Sequence, residues 1–304
     1  MSAPGTSAAR RLWLRIPPGL RWRIDPRPWL TALRLGSGWR SVRALRRLEL
    51  ERRREWLRSR SSADRSQARG RPAVLVGIRS LGGRKMLLRP GTSDVAVAGE
   101  VLIERLHLPR GDIGGPVRAI LDLGSNIGLS IADMAERFPE ARILGVELDG
   151  DNARVAEQNL EPWQSRCRLI HAGVWPHPGE VRYVRETARE SGNRIVADGA
   201  DDALSSAPAI SMDALLDSIA GGAGELVDFV KMDIEGSEAH VLTENTGWAG
   251  RVRMMLVEVH DPYGLNRCIE DLRGLGFDAR QETGSTVVAS RAPAREPVAS
   301  ASAR

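Results

Sequence analysis

The chain has 304 residues, 42% of them apolar and 27% charged, with a net charge of +5. That length can bury one α/β core with an appendage, and its two cysteines, Cys167 and Cys268, exclude a disulfide framework and a cysteine-based metal site. Charge is segregated: residues 1–71 hold 19 arginines against 5 acidic residues (net +14), and the remaining 233 hold 25 basic against 34 acidic residues (net −9).

The basic character therefore belongs to an N-terminal arm. No apolar run reaches the roughly 18 residues that a membrane-spanning helix needs. Arg10-Arg11-Leu-Trp-Leu-Arg15 is followed by prolines and a glycine where an export signal carries its apolar segment, so export is rejected and a reducing, cytoplasmic location is expected.

In chain order, Met1 to Ala9 is small and polar and predicts disorder. Arg10 to Trp39 interleaves Trp13, Trp22, Trp29 and Trp39 with prolines and glycines; it is too apolar for a plain linker and too broken for one long helix, so a short docking segment is expected. From Ser41 to Arg60 proline and glycine vanish, and Val42, Leu45 and Leu48, with Trp56 and Leu57 further on, mark an arginine-rich amphipathic helix. Two readings stand side by side. Residues 10–60 either meet an anionic partner (a membrane surface, a nucleic acid or an acidic protein), or the helix lays its apolar stripe on the body and solvates its arginines. Ser59 to Pro72 reads as a linker.

Ala73 to Ile78 and Lys85 to Leu88 are strand-like and separated by Leu81-Gly-Gly83, hence a hairpin. Arg89-Pro-Gly-Thr-Ser-Asp94 is a turn whose Ser93 or Asp94 can cap a helix over Val95 to Leu106. Then strands at Ala119–Leu123, Arg142–Val146, Cys167–His171, Glu225–Asp233 and Arg253–His260 alternate with helices after Gly128, at Asp149–Leu160, Ser211–Ile219 and Leu265–Leu275. Val181–Val184 and Arg194–Val196 read as an inserted hairpin, Asp198–Pro208 as a loop, and Phe277–Gln281 with Thr286–Ala289 as a closing antiparallel pair. This alternation predicts an α/β fold with a mostly parallel sheet and helices on both faces. Four regions result: a basic extension over 1–71, a hairpin-and-helix lead-in over 72–118, a body over 119–290 and a disordered tail over 291–304.

The organising stretch is Ala119-Ile-Leu-Asp-Leu-Gly-Ser-Asn-Ile-Gly128, a buried strand, a tight turn and a helix N-terminus. A dinucleotide site would show Gly-x-Gly-x-x-Gly. Here two glycines, Gly124 and Gly128, follow an acid, Asp122, which would repel a pyrophosphate. An acid there suits a cofactor with a positive centre, and S-adenosylmethionine carries two. Glu147, ending the next strand, is placed for the ribose hydroxyls. The bland account is that Asp122 braces the turn, Asn126 supplies a left-handed dihedral and Glu147 is a solvated strand end. Lys231, Asp233 and Glu235 alternate at period two, as do Glu258 and His260, so the acids and the histidine gather at neighbouring carboxyl ends of strands.

Leu121-Asp-Leu-Gly-Ser-Asn-Ile-Gly128, Val146-Glu147, Val230-Lys-Met-Asp-Ile-Glu-Gly-Ser-Glu238 and Val257-Glu-Val-His260 together resemble the FkbM family of S-adenosylmethionine-dependent methyltransferases, as does Arg89-Pro-Gly-Thr-Ser-Asp94. The resemblance covers roughly residues 75–290 and leaves the arm outside. It implies a class I methyltransferase sheet of seven strands and O-methylation of a hydroxyl on a sugar, glycolipid or natural product. Asp122, Gly124, Ser125, Asn126 and Gly128 would line the methionine end, with Ser125 where the family usually has alanine, and Glu147 the ribose. His107 stands where the family commonly has an aromatic residue.

For a hydroxyl acceptor the needed group is a base. His260 is the first candidate because its unperturbed pKa is near neutrality, Asp233 is the second, and Lys231 supports by pairing with a carboxylate. Asp233, Glu235 and His260 could alternatively hold a Mg²⁺-like ion. Competing functions are an RNA methyltransferase using the basic arm, disfavoured by the acidic and aromatic-poor body, and a non-catalytic scaffold.

Overall fold

A computed structural model describes residues 27–58, 72–184, 194–196, 205–219 and 225–291. The expectations for residues 1–26, the linker and the tail beyond residue 291 lie outside these residues.

Seven strands form the central sheet in the order β5 (Cys167–His171), β4 (Arg142–Glu147), β3 (Ala119–Leu123), β10 (Phe229–Met232), β11 (Met254–Glu258), β13 (Thr286–Ser290), β12 (Asp278–Thr283). The first five are mutually parallel, and β13 runs antiparallel to both β11 and β12. Every residue of β3 is buried, as its apolar run requires of a strand covered on both faces. The connecting helices are α4 (Leu129–Arg137), α5 (Gly150–Leu160), α6 (Met212–Ile219), α7 (Glu238–Thr243) and α8 (Leu265–Gly274). Strand order reverses between β3 and β10, which opens a crevice beyond their carboxyl ends. The register sets Lys231 of β10 beside Asp122 of β3, so one buried charge meets another inside the sheet.

Two expectations give way. Ser205–Ile210, partly read as loop, is a strand, β9, in a second sheet ordered β6 (Gly173–Val174), β9, β7 (Gly179–Val184), β8 (Arg194–Val196). Pro208 hid it. The two residues of β6 pair only with Ala209 and Ile210, so on that side Pro208 lies past the end of β6, where a missing N–H breaks no ladder. The lead-in helix also differs: α3 (Asp94–Gly99) passes into one wider turn over Glu100–Glu104 and ends there, with no side-chain cap. Asp94 turns back instead and accepts from Arg89, at 3.0 Å from Nε and 2.8 Å from Nη2.

The arm is not separate from the body. α1 (Arg27–Leu35) and α2 (Trp39–Arg58) bury Ala32, Leu35, Val42, Leu45 and Leu48 in one cluster with Val76, Ile78, Met86 and Leu88 of the β1 (Val74–Gly77) and β2 (Lys85–Leu88) hairpin region. The apolar stripe thus packs on the body, as the second of the two readings expected, and the arginines over residues 40–54 lie on the other faces of α2.

Candidate active site

Three strand ends meet where strand order reverses. Gly124 ends β3 at φ +82, and a Cβ there would lie 1.8 Å from the carbonyl oxygen of Asp233. The turn and the end of β10 are therefore in backbone contact, which only glycine permits. Asn126 follows in a left-handed conformation, φ +49, one that asparagine tolerates better than most residues. Its N–H donates to Glu147 Oε2 at 2.7 Å, tying the turn to the end of β4.

One pocket is bounded by Gly124, Asn126, Glu147, Asn152, Asp233 and Glu235, with Leu148, Val174 and Ile195 in its apolar wall. Glu147 is held from behind. Its Oε1 accepts from Asp149 N–H at 2.8 Å and Asn152 Nδ2 at 3.3 Å, leaving acceptor capacity mainly on Oε2. Burial pushes its carboxyl up to about 7 against these N–H donors and with the Asp149 charge. Asn152 in turn accepts from Arg89 Nη2 at 2.9 Å, so the lead-in turn braces this side of the pocket.

Asp122, Ser125 and Gly128 do not bound the pocket. Asp122 is wholly buried beneath the turn, accepting from Ser130 Oγ, with Lys231 Nζ 3.6 Å from its Oδ1. Its Oδ1 faces Lys231 without a hydrogen-bond partner among the described residues. Ser125 Oγ donates to the Asp122 carbonyl at 2.7 Å. Gly128 precedes α4 and lets that helix pack closely on Ala156 and Leu160 of α5. His107 is buried 3.3 Å from Asp133 of α4.

Lys231 donates to the Gly124 carbonyl at 2.8 Å and lies 3.1 Å from Asp233 Oδ2. Burial works to lower its pKa, but Asp233 and Asp122 outweigh that and hold the ammonium above its ordinary value. His260, just past β11, sets Nε2 at 3.7 Å from Asp233 Oδ1 and 3.4 Å from Glu235 Oε2, with Nδ1 2.8 Å from Glu238 Oε1. Burial opposes its charge, yet Glu238, Glu235 and Asp233 push its pKa up to about 9. A ring pushed up in this direction favours the imidazolium near neutral pH, which argues against His260 as the base. Burial pushes Glu235 up to about 7, with His260 opposing and Asp233 and Glu258 adding. Asp233, Glu235 and His260 offer ligand atoms within 4.8 Å of one another, close enough for one cation, which would have to displace the proton on His260 Nε2.

Glu238 escaped the sequence reading, which saw only a helix start. It is fully buried and accepts from the N–H groups of Ile234 at 3.2 Å and Gly236 at 2.9 Å as well as facing His260. It therefore shapes the loop that holds Glu235 at φ +53. Asn152 was likewise outside the expected set, and Glu258, expected beside His260 at the strand end, had been given no role.

Comparison with known proteins now fits this geometry. The model of the methyltransferase FkbM domain matches residues 122–278, just over half of the chain. The chain belongs to the FkbM methyltransferase family. The family match spans the turn, Glu147, the Lys231–Glu238 block and His260, so the crevice described above is the centre of the FkbM domain. Part of the AMB antimetabolite synthetase AmbE of Pseudomonas aeruginosa is 24% identical over 196 residues, 53% of this chain and 9% of that protein. A tRNA1(Val) (adenine(37)-N6)-methyltransferase of Vibrio campbellii is 33% identical over 72 residues, 23% of this chain and 30% of that one. The chain thus spans less than a third of either curated relative. Among solved structures, an O-methyltransferase family protein from Burkholderia thailandensis overlaps 64% of this chain and 56% of its own at 10% identity and a TM-score of 0.38. At that score the assignment of an α/β methyltransferase fold rests on the sheet order and the FkbM match.

Proposed function

We propose that this FkbM-family protein uses S-adenosylmethionine to methylate a hydroxyl of a sugar, glycolipid or natural-product acceptor. The observation that carries this reading is that a single pocket joins the Gly124–Asn126 turn and Glu147 to the carboxylates of Asp233 and Glu235. The residues present suit the cofactor. Asn126 Oδ1 is buried without a hydrogen-bond partner among the described residues, an acceptor available to an ammonium group. Glu147 Oε2 can take a ribose hydroxyl, and Leu148, Val174 and Ile195 offer apolar cover to an aromatic base.

Bound S-adenosylmethionine supplies a methyl carbon already activated by its sulfonium. The chain's own contribution is alignment, for which effective molarities are worth on the order of 7 kcal/mol or more at best, and proton acceptance. Asp233, fixed by Lys231 and His260, accepts a hydrogen bond from the acceptor hydroxyl. Glu235, with a pKa near the working pH, is the better Brønsted base and takes the proton. His260 keeps both carboxylates in place as an imidazolium. The acidic body favours this over a nucleic-acid acceptor.

The reading is tested by calorimetric titration and by a methyl-transfer screen against hydroxylated sugars and macrocycles. S-adenosylmethionine should bind and NAD should not. Asp233→Asn and Glu235→Gln should each lower turnover by roughly 10²-fold or more with cofactor affinity nearly retained. Binding of NAD instead, or full turnover in both variants, overturns the assignment.

A further inference from the structure

The outer face of α2 carries a second feature that methyl transfer does not use. Trp39, Arg43, Arg46, Leu50 and Arg54 recur at helical spacing opposite the buried stripe of Val42, Leu45 and Leu48. Of these, Arg43, Arg46, Leu50 and Arg54, with Trp29 of α1 and the Arg47–Glu51 pair, line an open cleft of about 510 Å³. The Trp29 and Trp39 rings stack at 6.1 Å. The Arg46 guanidinium lies 4.3 Å over Trp29 and that of Arg43 5.3 Å over Trp39.

These two arginines differ from their neighbours. Glu49 holds Arg52 and Arg53, and Glu51 holds Arg47. Among the described residues Arg43 and Arg46 meet tryptophan faces and no carboxylate, and Arg46 Nε is buried without a hydrogen-bond partner. On the same two helices Leu30, Leu33 and Trp39 are 55%, 45% and 55% exposed. Residues 27–58 hold 10 arginines against 3 glutamates, while residues 72–304 carry a net −9. Such a charge separation orients the molecule at an anionic surface, arm inward and body outward.

We propose that the α1–α2 face docks on anionic phospholipid, with Arg43 and Arg46 taking headgroup phosphates and Leu30, Leu33 and Trp39 entering the interface. The apolar residues decide between partners. A nucleic acid would leave both leucines uncovered, and the tryptophan faces it would need for stacking bases are occupied by guanidinium groups. An acidic protein segment would answer the arginines but has less use for three separate apolar protrusions than a headgroup layer has.

The test is co-sedimentation of the full chain with vesicles of phosphatidylcholine alone and of phosphatidylcholine mixed with phosphatidylglycerol. Binding should occur on the mixed vesicles and fall away at about 1 M salt, where charges are screened within about 3 Å. Residues 1–26 carry further arginines, so point variants decide. Arg43→Gln with Arg46→Gln should weaken vesicle binding about tenfold or more, and Leu30→Ser with Leu33→Ser should weaken it at unchanged charge. Both pairs change side chains that are not in the buried core, and unchanged melting temperatures would show intact folding. Equal binding to both vesicle types, no binding to either, undiminished binding of both variants, or tighter binding to RNA or polyglutamate than to mixed vesicles at the same salt each overturns the proposal.

Discussion

Gly124→Ala separates a site built on backbone contact from one that merely contains a glycine. The alanine Cβ would start 1.8 Å from the Asp233 carbonyl, and real Cβ contacts essentially never fall below 3.0 Å, so the two strand ends must part by at least 1.2 Å. Neither side can yield by a rotamer change, because the obstacle is main chain. To this is added the left-handed conformation at φ +82, which costs alanine about 1–2 kcal/mol. With overpacking of roughly 1–3 kcal/mol, the expected loss is on the order of 2–5 kcal/mol. The same shift moves Asp233 away from the turn, and a displacement of about 1 Å in a positioned group can lower turnover about 10²-fold. Denaturant unfolding measures the first effect and a methyl-transfer assay the second, with Gly247→Ala, where a Cβ meets nothing within 4 Å, as the control. A Gly124→Ala protein as stable and as active as the parent would refute the backbone-contact argument.

Two further outcomes follow from burial and charge. Leu45, fully buried in the shared core, should cost about 2–5 kcal/mol on substitution by alanine; denaturant unfolding with a loss below about 0.5 kcal/mol would show that α2 only rests on the body. His260 is raised from 6.5 to about 9, so it adds stability that is complete below about pH 6.5 and disappears as pH rises through about 9, on the order of 3 kcal/mol in all. Glu238→Gln removes the carboxylate at Nδ1 and should move the ring titration, followed by NMR, toward neutrality, together with the alkaline fall in melting temperature. An unmoved titration would mean that other groups hold the proton.

The inner strands of the central sheet were legible because they are short, mostly apolar runs, and the turn at Gly124 because an acid and two glycines punctuate it. Contacts across long separations were not. Arg89 reaches Asn152 over 63 residues and His260 reaches Glu238 over 22, and no local pattern marks either pair. Ser205–Ile210 looked like loop because its small residues and proline lack strand character; its pairing depends on where a two-residue neighbour stops. The helix periodicity over α2 gave both an apolar and a basic stripe, and only packing against the hairpin selected which one is covered. His260 was legible as a residue near the strand end, but its pKa is raised by three carboxylates, Asp233, Glu235 and Glu238, drawn from one other segment.

The case for a cationic cofactor began with Asp122, and the fold transfers it to other residues. Asp122 and Asp233 share Lys231, and His260 stands among Asp233, Glu235 and Glu238. Two cations therefore face five carboxylates once Glu258 is included, whose pKa is raised by burial and by Asp233. Burial first, and the negative charge of Asp233 second, make Glu235 and Glu258 hold their protons more tightly than free carboxyls. A pyrophosphate entering the pocket would deepen that imbalance. A sulfonium or ammonium would relieve it and lower both pKa values, releasing Glu235 as a base at the moment the reacting centre arrives. Under the proposed function, cofactor charge and proton acceptance would be linked through Glu235, which lines the pocket that Asp122 does not bound.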